Sequence, residues 1–280
     1  MIPLDRITSK GYQRPEGQGT KIAAVIRMSS PHIFPVSFAQ ERLLFLERLD
    51  PGTSAYNLTR VIRMVGQLDA GALAQTLDKI AKRHAALRTR FRFDAEDPYQ
   101  IVNDDVRVHL PVHDISHLPA PDRQPEALRL AREQQHTSFD LTEGPLFRPV
   151  LFRLGSADHI LVLVMHHIVT DGWSMSILFD EIGEIYAELA YGKLAKLPVL
   201  SIQYSDFARW QREHFTAEHL RDHVTYWTNK LRDHGGFIEL PTDRDRLFKA
   251  TRGRPKYFKL GNSSPKRWRD WPKAAAPHCL

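Results

Sequence analysis

Five consecutive apolar residues, Ile160-Leu161-Val162-Leu163-Val164, run directly into Met165-His166-His167, and Thr170-Asp171-Gly172 follows. The β-branched content and the absence of polar interruptions suit a buried strand. Over residues 173–191, Ile177, Leu178, Ile182, Ile185, Tyr186 and Leu189 recur at helical spacing. Thr170-Asp171-Gly172 between them is turn chemistry. The chain must therefore pass from strand to helix through a junction that carries two histidines, a carboxylate and a glycine.

Strand geometry constrains the histidines. Neighbouring residues on a strand point to opposite faces, so His166 and His167 cannot both aim at one reactant unless the strand has already ended. One is expected to face a site and the other to pack or to hold backbone. Gly172 is expected to let the chain turn without a Cβ clash. Asp171, four residues past His167, either folds back near it or reaches a cation elsewhere. Zinc is disfavoured, because no third ligand stands at the usual spacing and neither H-E-x-x-H nor C-x-x-C occurs.

Three further stretches accompany this junction in order. The first is Ser37-Phe38-Ala39-Gln40-Glu41-Arg42-Leu43-Leu44-Phe45-Leu46. The second is Arg83-His84-Ala85-Ala86-Leu87-Arg88-Thr89-Arg90-Phe91, and the third is Tyr204-Ser205-Asp206-Phe207-Ala208-Arg209-Trp210-Gln211. With the HHxxxDG pattern of His166, His167, Asp171 and Gly172, they resemble the motifs of nonribosomal peptide synthetase condensation domains. Chloramphenicol acetyltransferase and other CoA-dependent acyltransferases share related versions. Leu44 stands where the family commonly has Trp, and Ala85 where Glu is frequent. Leu240-Pro241-Thr242-Asp243-Arg244 looks like the segment that follows, so the resemblance spans about residues 33–260.

The resemblance implies an α/β (α+β) two-layer sandwich, the chloramphenicol acetyltransferase-like N-terminal lobe of a condensation domain. It divides the chain into a disordered lead-in (1–30), that lobe (31–200), a helical passage toward a second lobe (201–260) and an unstructured basic tail (261–280). The tail has no usable period and is expected to reflect truncated or out-of-frame coding, with a basic anchor as the competing reading, and little or no activity is expected of the isolated chain. From the residues themselves, Ser37 caps a helix over 38–49 and Asp69 one over 70–84. Strands are expected at 57–67, 88–94, 99–102, 106–110, 146–154 and 159–166. Residues 119–125 read as a loop and 126–137 as a polar helix. Further helices are expected near 204–214 and 217–234.

The resemblance also implies an activity: amide formation between a carrier-bound acyl or peptidyl thioester and a carrier-bound aminoacyl amine. His167 then matches the catalytic histidine and His166 a structural one. Asp171 matches a structural carboxylate paired with Arg83, and Gly172 allows the turn. Arg88 is a weaker supporting position, read mainly as structural; His84, Tyr204 and Trp210 read as packing residues. No cofactor is implied on the domain itself, since substrates arrive on the phosphopantetheine of donor and acceptor peptidyl carrier domains, with adenylation domains as neighbours. Three other readings stay open: a stand-alone trimeric acyltransferase, a non-catalytic carrier-binding remnant, and an epimerase of the same superfamily, which shares the His pair though the L-x-F-L end of the first stretch looks more like condensation.

Charge and composition exclude other classes. The net charge is +6, but residues 252–280 hold eight Lys or Arg against one Asp; the remainder, with 31 basic and 32 acidic residues, nets −1. A neutral domain carries no electrostatic footprint for nucleic acid. No apolar run is long enough to span a bilayer, and the N-terminus has no signal-peptide pattern. A single cysteine, Cys279, rules out an internal disulfide and fits a reducing, cytoplasmic setting.

Overall fold

The computed structural model describes residues 2–3, 33–93 and 97–233. The basic tail, the stretch 240–244, Cys279 and nearly all of the lead-in lie outside the described residues. In chain order the elements are β1 (Ile2–Pro3), β2 (Ile33–Pro35), α1 (Phe38–Leu49), β3 (Asn57–Val65), α2 (Ala70–Arg83), a 3-10 turn (Ala85–Arg88), β4 (Thr89–Arg92), β5 (Tyr99–Val102) and β6 (Val112–Asp114). They continue with α3 (Ala120–His136), β7 (Phe147–Gly155), β8 (Asp158–His166), α4 (Gly172–Tyr191), α5 (Tyr204–His214) and α6 (Ala217–Leu231).

The expected mixed α/β sandwich is what the chain forms. Its main sheet has the order β1-β3-β8-β7-β6, and a smaller sheet has the order β2-β5-β4. β8 lies between antiparallel neighbours, with Asn57 opposite His166 on one side and Phe147 opposite Met165 on the other. This central position explains the unbroken apolar run, because both faces of β8 are covered. Ile160, Val162 and Val164 pack with Val150 and Phe152 of β7, Ala127 and Ala131 of α3, and Leu44 of α1. Leu161, Leu163 and Met165 point the other way, onto Leu73, Leu77 and Ile80 of α2 and Leu178 and Ile185 of α4. Each such side chain, fully buried, contributes roughly 1.5–3 kcal/mol.

Local chemistry sets the helix ends. Ser37 and Gln40 form a reciprocal capping box: the Gln40 amide donates to Ser37 Oγ (3.2 Å) and the Ser37 amide to Gln40 Oε1 (2.9 Å). Asp69 Oδ1 accepts from the Ala72 amide at 2.9 Å. α4 stops at Gly192, whose φ of 68° is the left-handed cap conformation that glycine tolerates.

Two expectations are corrected. Residues 106–110 form no strand; the edge strand is β6, which pairs parallel to β7 with Val112 opposite Leu151. Val108 and Leu110 are nonetheless buried, so the alternation recorded burial of every second residue without a ladder. The expected loop at 119–125 belongs to α3. Pro121 sits in the first turn, where no amide partner is needed, and Pro125 forfeits one helical bond. Ile2–Pro3, within the expected lead-in, pairs parallel to Met64–Val65. Among the described residues no helix is long and apolar enough to cross a membrane.

Candidate active site

The ladder of β8 ends at His166, and the residues that lead into both flanking strands grip the exit. The His166 amide donates to the Leu146 carbonyl (3.1 Å), and the His167 amide to the Tyr56 carbonyl (2.8 Å). A turn begins at His167, so strand alternation no longer governs the pair. His166 is 2% exposed, whereas His167 is exposed and lines a cavity. The choice left open by strand geometry is thereby made: His167 faces the site and His166 holds backbone.

His166 holds that backbone through its ring. Its Nδ1 accepts from the Ile168 amide at 3.2 Å, closing the turn behind His167. The ring sits edge-on to Phe139 at 6.4 Å and tilted against Tyr56 at 6.2 Å. Burial, reinforced by the neighbouring charge of His167, pushes its pKa down to about 4. His166 is thus neutral near pH 7, and with Nδ1 accepting, its proton is on Nε2.

Asp171 begins α4. Its Oδ1 accepts from the Ser174 amide (2.7 Å) and from the Ser174 hydroxyl (2.6 Å), an N-cap arrangement. Burial pushes this carboxyl up. The Ser174 hydroxyl and amide, the charge of His167 and the Trp173 amide outweigh it, so the pKa lies below the usual carboxylate range.

The expected Arg83–Asp171 pair is not formed. Arg83 Nε instead donates to both carboxylate oxygens of Glu181, each at 3.1 Å, and its guanidinium also reaches the Pro198 carbonyl. His84 Nε2 lies 2.6 Å from the second Glu181 oxygen. The physical reason is placement: Arg83 closes α2 against the middle of α4, where Glu181 is 4% exposed, while Asp171 is committed to the first turn of α4. Glu181 is the residue that the sequence reading missed. It stands three residues after Leu178 and four before Ile185, a carboxylate on the buried stripe of an amphipathic helix.

Arg88 is engaged by the scaffold. It donates to the carbonyls of Ala81 (2.9 Å), Lys82 (3.3 Å) and Asn103 (3.0 Å) and to Asp104 (2.5 Å), tying the end of α2 to the strand that follows β4. Gly172 needs a second correction. Its φ is not positive, and a Cβ built on it would meet nothing within 4 Å, so the turn itself does not demand glycine.

The cavity holding His167 has a volume of about 490 Å³. Its motif side is Ile168, Thr170, Asp171 and Ser174; its far side includes His84, Leu200 and Tyr204. A wider groove of about 750 Å³ near the β7–β8 turn is lined by Arg63, Arg123 and Arg132 but by no histidine, so volume alone does not locate the chemistry. Among the described residues, no group of three or more His, Cys, Asp or Glu is placed to hold a metal.

Comparison with known proteins gives this geometry a family. A family model described as "Condensation domain" matches residues 30–269. Chondramide synthase cmdD of Chondromyces crocatus is 41% identical over 248 residues, which is 88% of this chain and 6% of the synthase. The dimodular nonribosomal peptide synthase of Bacillus subtilis is 36% identical over 230 residues, 80% of this chain and 9% of its own length. Among solved structures, the starter condensation domain of rhizomide synthetase RzmA superimposes with a TM-score of 0.66 at 19% identity, over 74% of this chain and 49% of that one. The chain therefore spans about half of that solved domain and under a tenth of these two synthetases. Matched over most of its length and carrying the HHxxxDG junction at the mouth of a cavity, the chain belongs to the condensation domain family of nonribosomal peptide synthetases.

Proposed function

We propose that the condensation domain to which this chain contributes joins a carrier-bound acyl or peptidyl thioester to a carrier-bound aminoacyl amine, with His167 handling the proton of the attacking nitrogen. The single observation that carries this reading is the exposed ring of His167 in a cavity, backed by a buried neutral His166.

The chemistry is modest in its demands. An α-amine has a pKa of about 8 and a thiol about 8.5, so a useful share of amine is neutral and the departing thiolate needs little acid help. The amine nitrogen attacks the acyl carbon, the C–N bond forms, the C–S bond breaks and the pantetheine thiolate leaves. The proton shed by the nitrogen passes to the imidazole and on to the thiolate or solvent. Imidazole, with an ordinary pKa of about 6.5, suits that transfer, and holding the two thioester arms in register supplies several kcal/mol more.

The partners in this proposal are donor and acceptor carrier domains bearing phosphopantetheine, next to adenylation domains. In this proposal no cofactor on the domain itself takes part, because both substrates arrive on the carriers' phosphopantetheine. The setting is the cytoplasm, where the ATP used for aminoacyl activation is available. A single-turnover assay on the condensation domain containing this chain, with both carriers loaded, tests the reading. His167→Ala is expected to lower the rate by about 10²–10⁴-fold. An unchanged rate would remove His167 from the chemistry, and binding of both loaded carriers without product in the unaltered domain would favour a non-catalytic role.

A further inference from the structure

Behind the His pair, four side-chain polar atoms are buried without a protein partner: Asn57 Oδ1, Thr59 Oγ1, Arg148 Nε and His166 Nε2. Their register places them together. Asn57 faces His166 across β3 and β8, Thr59 faces Val164, and Val164 faces Arg148 on β7. With side chains alternating along each strand, all four project from one face of the sheet.

Hydrogen bonds tighten the grouping and set the role of each atom. Asn57 Nδ2 donates to the carbonyls of Gln135 (2.8 Å) and Thr137 (2.9 Å), and Arg148 Nη2 donates to the same Thr137 carbonyl (2.8 Å). Those contacts fix the orientation of the Asn57 amide and leave Oδ1 as an acceptor. His166 Nδ1 already accepts from Ile168, so Nε2–H is a donor. Phe139 closes the group, edge-on to His166 and under the Arg148 guanidinium at 4.3 Å. His166 is 2% exposed and Asn57 7%, so bulk solvent does not reach them.

We propose that this cluster of buried polar atoms binds ordered water, held by His166 Nε2–H, Asn57 Oδ1, Thr59 Oγ1 and Arg148 Nε–H, and that this water locks the His166 tautomer which shapes the turn presenting His167. One unpartnered buried polar atom costs about 1–3 kcal/mol, and folded proteins leave few of them. Two N–H donors, a carbonyl acceptor and a hydroxyl of either sense form the mixed set that a buried water satisfies with two to four bonds. A metal ion is excluded at Nε2, since a protonated ring nitrogen has no lone pair to give. An anion would leave Asn57 Oδ1 unpaired and repelled. In this arrangement Asn57 and Thr59 are positioning residues: they act on His167 only through the ring and backbone of His166.

The proposal does not depend on catalysis, and its test is run on the 280-residue chain. Nitrogen NMR of labelled histidine is expected to show His166 as the Nε2–H tautomer near neutral pH, with a cross-relaxation contact from Hε2 to a bound water. Thr59→Val, isosteric and safe for folding, is expected to accelerate exchange of that Hε2 proton by about tenfold, the equivalent of one lost hydrogen bond. Asn57→Leu is expected to abolish the water contact; should that variant not fold, Thr59→Val carries the test alone. An Nδ1–H tautomer overturns the proposal. So does a direct bond from His166 Nε2 to Asn57 Oδ1 with no water between them, or exchange unaffected by Thr59→Val.

Discussion

His166 should make this fold acid-sensitive by a calculable amount. In the folded chain its pKa is about 4, and in the unfolded chain about 6.5. The neutral ring is favoured by folding, so the unfolded chain takes up a proton first as the pH falls. The associated stability is therefore complete above about pH 6.5, declines below it and levels off near pH 4. Linkage with these two values gives a loss of about 2 kcal/mol between about pH 7 and pH 5, and about 3 kcal/mol in all. Urea unfolding at the two pH values, on the unaltered chain and on His166→Asn, isolates the contribution. Asn is chosen because its Oδ1 can still accept from the Ile168 amide. His159, whose pKa is also lowered, first by burial, is present in both proteins and cancels. The unaltered chain should lose about 2 kcal/mol more than the variant. Equal losses, within about 0.5 kcal/mol, would falsify the assignment of His166 as a buried neutral ring.

Substitutions at three positions probe the corrected readings. Asp171→Asn should cost little stability, because Asn is as good an N-cap, whereas Asp171→Ala should cost about 1 kcal/mol; a large penalty for Asn in denaturant melts would restore the ion pair with Arg83. Glu181→Ala should destabilise by roughly 3–5 kcal/mol by stranding the guanidinium of Arg83, which is 20% exposed, and a change under about 1 kcal/mol would show the pair to be ornamental. Gly172→Ala should leave the thermal midpoint unchanged or slightly higher, since the added methyl meets open space and alanine is the better helix former; a marked fall would mean the site is tighter than described.

Much of this was legible in the sequence because it rests on local chemistry. The run 160–164 announced the central strand, and Ser37, Asp69 and Gly192 stand where helix ends are made. The separation of His166 from His167 was legible only as an alternative. What decided it was the Tyr56 carbonyl, supplied by the residue that leads into β3, more than a hundred residues earlier. Arg83 was given the wrong partner because a motif names the residues that recur together, not those that touch. Glu181 lies outside every motif yet holds both Arg83 and His84. Val108 and Leu110 show the same limit from another side, since period-two burial does not guarantee a neighbouring strand.

The turn that carries His167 hangs from β8, the strand paired on both edges and buried on both faces. Amides in such a strand open to solvent only when the whole cooperative unit opens. His167 is thus not tethered to a fraying loop with a stability of its own. Warming should leave its presentation intact up to the melting transition and then abolish it in one step. In the reaction proposed above, two long carrier arms must be held in register, and this anchor does not give way before the rest of the scaffold.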